Sequence, residues 1–193
     1  MKNLGIMIFD NVEDLDFTGP LEVFGTTSHL KPNSLHPFTI QREGREVKTV
    51  NGLRVTPDYS FRNCPKLDIL LVPGGIGTRT EMKDPETLEF VKRNVSSCEL
   101  VLSVCTGALI LAATGLLDGK RATTHWAALD ELKAFPQVTI DRLRYVRDGK
   151  IVTSAGVSAG IDMALYITKE LFGPSVAEEV ARDMEYPLSK AIQ

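Results

Sequence analysis

An α/β fold, with a mostly parallel central sheet covered by helices on both faces, is predicted by three observations. Residues 4–9, 68–72 and 100–104 are short, almost unbroken apolar runs, as strands buried on both faces require. Longer segments with helix start and stop signals separate these runs. The resulting β-α alternation places helices on both faces of one sheet, joined by right-handed crossovers.

Each element has its own signal in the chain. Residues 4–9 form the first strand. Thr18-Gly19-Pro20 opens a helix running to about Ser28, and 37–42 is the second strand. Residues 47–55 carry Asn51-Gly52 between β-prone residues, a hairpin signal. The strand at 68–72 ends in Pro73-Gly74-Gly75. The helix at 85–97 starts on Asp84, Pro85 and Glu86, a capping acid followed by proline in the first turn. The strand at 100–104 leads through Cys105 into a helix at 106–113. Residues 126–134 read as a helix. Residues 139–146 and 151–154 flank Asp148-Gly149, a second hairpin signal. A helix at 157–172 stops at Gly173-Pro174, and 175–185 is the last. No repeat, linker or low-complexity tract is present, so 1–193 reads as one domain.

Bulk properties exclude several classes. The 193 residues are 43% hydrophobic and 24% charged, with net charge -3, which argues against disorder and against a general nucleic-acid surface. No apolar run approaches the roughly 20 residues that span a bilayer, and the opening Met1 to Asp10 is too short and too soon acidic for a signal peptide. A cytoplasmic location is the expectation, with no membrane and no nucleic-acid partner. The three cysteines, Cys64, Cys98 and Cys105, show no zinc-like spacing with the histidines and no even-numbered disulfide framework.

Chemistry is expected beyond the carboxyl ends of the parallel strands. Three such ends are unusual: Asp14-Leu15-Asp16, Pro73-Gly74-Gly75 and Ser103-Val104-Cys105-Thr106-Gly107. Cys105, between a buried strand and a helix, occupies the position of a nucleophile elbow. The positive end of the following helix favours its thiolate; the alternative is a buried structural cysteine. Asp16 reads either as a carboxyl that shuttles protons near the thiol or, with Asp14, as a helix cap. Gly74-Gly75 is either a plain turn or a turn that aims an N–H, jointly with that of Thr106, at developing negative charge. His125 is a general base or a packing and capping residue. Trp126 walls an apolar pocket or belongs to the core. Residues 154–160 are small and suit backbone lying close to the cysteine turn, or a plain helix entry. Neither a G-x-G-x-x-G fingerprint nor a Walker motif is present, so no nucleotide is expected.

Taken together, Leu15-Asp16-Phe17-Thr18-Gly19-Pro20, Val72-Pro73-Gly74-Gly75, Ser103-Val104-Cys105-Thr106-Gly107, Gly115-Leu116-Leu117-Asp118-Gly119, Ala122-Thr123-Thr124-His125-Trp126 and the segment 153–162 resemble the ThiJ/PfpI superfamily, relatives of class I glutamine amidotransferases. The resemblance covers essentially the whole chain, and its isocyanide hydratase branch fits best. It implies a flavodoxin-like α/β/α sandwich and a homodimer acting on a small-molecule substrate without a cofactor or metal. Carried over by motif, Cys105 is the nucleophile and Asp16 the acid/base. Thr106 contributes its backbone and hydroxyl, Gly75 an oxyanion-type N–H, and Gly156-Val157 backbone packed on the elbow. Thr106 stands where the protease-like branch has histidine, and Asp16 where the redox-chaperone and glyoxalase branches have glutamate. The same motifs occur in sensory domains of AraC-type regulators; no helix-turn-helix pattern follows residue 193, so a complete regulator of that kind is not expected. Glyoxalase-like carbonyl chemistry, redox sensing and ligand-binding regulation remain alternative readings.

Overall fold

The computed structural model describes residues 1–187. Its elements in chain order are β1 (Lys2–Met7), α1 (Asp14–Leu30), β2 (Leu35–Gln41), β3 (Val47–Lys48), β4 (Arg54–Val55), β5 (Tyr59–Ser60), β6 (Ile69–Val72), α2 (Thr78–Glu81), α3 (Pro85–Ser97), β7 (Leu100–Val104), α4 (Gly107–Ala113), β8 (Arg121–Ala122), a 3-10 turn (Trp126–Ala128), α5 (Leu129–Lys133), β9 (Thr139–Ile140), β10 (Tyr145–Asp148), β11 (Ile151–Ser154), α6 (Ala159–Phe172) and α7 (Pro174–Asp183).

Seven strands form the central sheet in the order β10-β11-β7-β6-β1-β2-β5. All neighbours pair in parallel except β10 with β11, which form an antiparallel edge hairpin. The predicted α/β architecture is therefore present. Every residue of β6 and β7 is buried, because helices cover both faces: α1, α6 and α7 pack together, and α4 packs against α2, α3 and α5. From β1 the chain moves outward to β2 and then returns to the other side at β6. This reversal opens a crevice beyond the carboxyl ends of β1 and β6, where ligands bind in open α/β sheets. Among the described residues no helix is long and apolar enough to cross a membrane.

Several boundaries differ from expectation for local reasons. Helix α1 starts at Asp14, ahead of the expected Thr18, and Pro20 lies inside it. The Asp14 carboxylate accepts from Thr49 Oγ1 at 2.7 Å and Asn51 Nδ2 at 2.9 Å, fastening the first hairpin to the helix start. The strand expected at 139–146 is broken: β9 pairs with β8 outside the main sheet, and β10 begins only at Tyr145. The helix expected at 126–134 is a 3-10 turn followed by the short α5. Helix α6 begins at Ala159, not at 157, because Val157 adopts φ 51, outside the helical region. The short elements β5, β8 and α2 lack a period long enough to stand out in sequence.

Helix α4 enters directly against the end of β6. A Cβ on Gly107 would lie 2.1 Å from the Val72 carbonyl oxygen, whereas one on Gly25 in α1 would meet nothing within 4 Å. Gly107→Ala is accordingly expected to destabilise the fold by at least ~1–3 kcal/mol through forced backbone shifts. Gly25→Ala should be neutral or stabilising by up to ~1 kcal/mol. Denaturant unfolding of the two variants side by side checks the contrast.

Candidate active site

Cys105 follows β7 on the sharp turn into α4 and has φ 56, a left-handed conformation rare for a side chain of this kind. Three hydrogen bonds fix the turn. The Cys105 N–H is shared between the carbonyls of Ser154 and Ala155, both at 3.1 Å, and the Cys105 carbonyl accepts from Thr124 Oγ1 at 2.8 Å. The thiol is therefore placed by the end of β11 as much as by its own strand.

Gly74 is the contact point of the whole arrangement. A Cβ there would fall 2.6 Å from Asp16 Oδ2, 2.6 Å from Thr106 N and 2.8 Å from Cys105 Cβ. Only hydrogen at this position lets carboxyl, thiol and α4 entrance converge. The Gly74 N–H donates to Asp16 Oδ2 at 3.0 Å, and its carbonyl accepts from Glu13 N at 2.9 Å. Asp16 is wholly buried. Its other oxygen, Oδ1, is buried with no hydrogen-bond partner among the described residues. The helix-cap alternative fails for both acids: Glu13 is the N-cap residue, and it makes no side-chain cap.

Burial pushes the Asp16 carboxyl up to about 7; the Gly74 N–H, the Cys105 thiol and the Val157 N–H pull it down, and Glu13 pushes it further up. Burial, followed by the charge of Asp16, pushes the Cys105 thiol up to about 12, against the pull of the Thr106 N–H and hydroxyl. This corrects the expectation of a thiol made acidic by the helix end. Helix α4 has only 7 residues, and its field is outweighed by desolvation and by the buried acid alongside. The pair disfavours two negative charges, so near neutrality it holds a proton between its members.

The other candidate residues fall into place unequally. Gly75 has φ 119, and a Cβ on it would lie 2.4 Å from Asn11 O and Glu13 N. Its N–H does not point free into the site as expected; it donates to Thr106 Oγ1 at 3.0 Å. Thr106 Oγ1 also meets Thr78 Oγ1 and the Gly75 carbonyl, each at 3.1 Å, so its hydroxyl braces the loop while its N–H serves the thiol. His125 Nδ1 accepts from Ala127 N at 3.2 Å, which makes the ring a cap on the 3-10 turn and not a base bonded to Cys105. Trp126 is 78% exposed and is not a core residue. It lines a neighbouring cavity of about 470 Å³ with Leu129, Arg142 and Arg144.

The thiol opens on a cavity of about 530 Å³, whose walls include Gly75, Ile76, Thr106, His125, Ala128 and Val157. Arg79 and Glu13 stand at its rim. Arg79 donates to the Gly75 carbonyl at 3.2 Å and is ion-paired with Glu131. Sequence reasoning missed Thr78, Arg79 and Ile76. Their only signal is the 4-residue helix α2, too short to show a period. Cys64 and Cys98 lie elsewhere, both pushed up by burial, the latter to about 11.

This arrangement, a left-handed cysteine elbow beside a buried acid in an α/β sandwich, agrees with comparison to known proteins. The DJ-1/PfpI family model matches residues 2–170, and the chain belongs to that family. Isonitrile hydratase of Pseudomonas putida is 40% identical over 187 residues, which are 95% of this chain and 78% of that protein. The HTH-type transcriptional regulator GbdR of Pseudomonas aeruginosa is 28% identical, aligned over 96% of this chain but only 51% of its own length. A crystal structure of a ThiJ/PfpI family protein from Pseudomonas syringae superposes with TM-score 0.90 at 32% identity, covering 97% of this chain and 76% of that one.

The buried acid has a thermodynamic signature. Its carboxyl titrates at about 7 in the fold against an ordinary 3.8. The folded state therefore binds the extra proton between those values, and stability falls as pH rises through that window, by an amount of order 4 kcal/mol. Asp16→Asn removes this loss. Its denaturation midpoint should exceed that of the parent protein at about pH 8 and converge toward it near about pH 4. Equal pH dependence in the two proteins would contradict the assignment.

Proposed function

We propose that the protein hydrates isocyanides to N-substituted formamides, with Cys105 as nucleophile and Asp16 as proton relay. The observation that carries this reading is the pairing of a buried carboxyl having one unpartnered oxygen with a thiol on the wall of a mainly apolar cavity. An isocyanide R–N≡C needs both a sulfur nucleophile and a proton for the same terminal carbon, with no charged group to bind. The 40% identity to isonitrile hydratase of Pseudomonas putida supports the same chemistry.

The steps follow from the geometry. Ionised Asp16 takes the thiol proton as Sγ bonds to the terminal carbon, and returns that proton to the carbon. The product is the thioimidate R–N=CH–S–Cys105. One N–C π pair moves onto nitrogen as the C–S bond forms, and the lone pair of the terminal carbon takes the proton. Water then adds to the same carbon: one of its protons passes through Asp16 to the nitrogen, and the hydroxyl stays on the carbon. Collapse of R–NH–CH(OH)–S–Cys105 breaks the C–S bond, returns the hydroxyl proton to sulfur and releases R–NH–CHO. A thiol that is protonated at rest suits this scheme, because its proton is consumed in the first step. A carboxyl titrating at about 7 suits both halves of a relay near neutrality. The Thr106 N–H, which faces the sulfur, steadies the charge that builds there. Gly74 keeps the three groups in contact, and Val157, His125 and Ile76 shape the pocket for R.

A second reading is favoured by one specific observation, the alignment of nearly the whole chain with half of a transcriptional regulator. In that case the cavity binds a small molecule without turning it over.

Incubation with an aryl isocyanide in heavy-oxygen water, followed by mass spectrometry, decides between them. Labelled formamide is expected from the parent protein and none from Cys105→Ala, while Asp16→Asn should lose at least ~100-fold in rate yet still alkylate at Cys105. Saturable binding without product would move the assignment to the sensory reading, and turnover of methylglyoxal alone would move it to carbonyl chemistry. The hydratase rate should fall as pH drops below about 7, because the relay needs Asp16 ionised to receive the thiol proton. A rate that rises on acidification would contradict Asp16 as that acceptor.

A further inference from the structure

The cavity beside the thiol cavity has no part in the steps above. Its volume of about 470 Å³ is ordinary for a small-molecule site. His125 borders both cavities. After it, Trp126 lines the second cavity while Ala127 and Ala128 line the first. Gly156 and Val157 divide in the same way. The two spaces therefore adjoin along two backbone segments.

The apolar surface is continuous across that boundary. Ile76, Trp126 and Leu143 are large apolar side chains left exposed, and all three line these cavities. The Trp126 ring lies 5.5 Å from the His125 ring, centroid to centroid. The opposite wall is fixed by the backbone: the Leu143 carbonyl accepts from Thr123 Oγ1 at 3.2 Å, and the Arg144 carbonyl accepts from Ala155 N at 2.8 Å.

The charge in the second cavity has one sign. Arg142 and Arg144 line it, and no acidic side chain does. Arg144 is engaged, its Nε ion-paired with the buried Asp162. Arg142 makes no hydrogen bond or ion pair among the described residues. Asp130 feels its charge but is itself paired with Lys133. An available guanidinium beside exposed aromatic and aliphatic surface suits a carboxylate carried on an apolar body.

We propose that the second cavity holds the far end of the substrate, an isocyanide whose apolar R group ends in a carboxylate. Trp126 packs against the chain and Arg142 receives the carboxylate. The isocyano head is uncharged, so the thiol cavity needs no cation for it. The identity of that head rests on the hydratase reading; the recognition of an anionic end does not.

Trp126 is the only tryptophan in the chain, so its fluorescence reports on the second cavity. The probes are para-isocyanophenyl alkanoic acids, from acetic to hexanoic, and their methyl esters. In Cys105→Ala, which lacks the nucleophile, at least one acid should change Trp126 emission saturably and bind about tenfold tighter than its ester. Arg142→Gln should remove most of that preference. Arg147→Gln, at a cation that lines neither cavity, should keep it. Equal binding of every acid and its ester, a preference that survives Arg142→Gln, or emission that never responds overturns the proposal. So does poor quenching of Trp126 by acrylamide in the free protein, which would show a second copy of the chain covering this face. With Cys105 present, kcat/KM should favour the acid by a similar factor, through KM, and Arg142→Gln should bring the ratio toward one. No formamide from any probe, with the acid still bound through Arg142, would overturn the hydratase reading and uphold the second cavity as an anion-selective site.

Discussion

The site depends on one constraint above all, the backbone of Cys105 held at positive φ where two strands and a helix meet. A non-glycine residue there carries strain of about 1–3 kcal/mol. The surrounding bonds compensate: the Ser154 and Ala155 carbonyls share its N–H, and Thr124 takes its carbonyl. Val157, strained in the same sense, lies three residues beyond Ser154. Two left-handed side-chain-bearing residues thus stand just beyond the ends of β7 and β11. The sheet register that pairs Ser154 with Val104 is what brings them together.

The second organising fact is that burial raises the acid, and the acid's charge in turn helps burial to raise the thiol. Either group alone would be ordinary at the mouth of an α/β sheet. Brought together at Gly74, they form one unit that shares a proton. A reactive cysteine is usually pictured as a thiolate stabilised by positive charge. Here the charged neighbour is a buried acid, and the proposed chemistry relies on that acid titrating near neutrality. The cost is stability given up at neutral pH, as is common for groups arranged for chemistry and not for folding.

Much of this was legible in the sequence, and the parts that were not have physical reasons. The apolar runs identified β1, β6 and β7, and the motifs at their ends identified Asp16, Gly74 and Cys105 as neighbours, because parallel strands deliver their carboxyl ends to one edge. Asn51-Gly52 and Asp148-Gly149 marked both hairpins. Sequence could not show that Gly75 spends its N–H on Thr106, that His125 caps a turn, or that Trp126 is exposed. Each depends on a side-chain direction set by tertiary contacts. The acidity of Cys105 was misjudged for a related reason: the helix after it is visible in sequence, while the depth of burial that overrides the helix is not. Arg79 carried no local signal, since its ion-pair partner Glu131 lies 52 residues away.

The wall between the cysteine cavity and its neighbour carries a consequence for how this protein can change. His125 borders both cavities, and its ring lies so close to the Gly156 backbone that a Cβ there would sit 2.0 Å from His125 Cδ2. An alanine at position 156 would force the imidazole to move aside. A smaller residue at position 125 would relieve that clash and at the same time thin the wall between the two cavities. Positions 125 and 156 are therefore coupled, and a change at either one alters the shape of the chamber that the thiol faces.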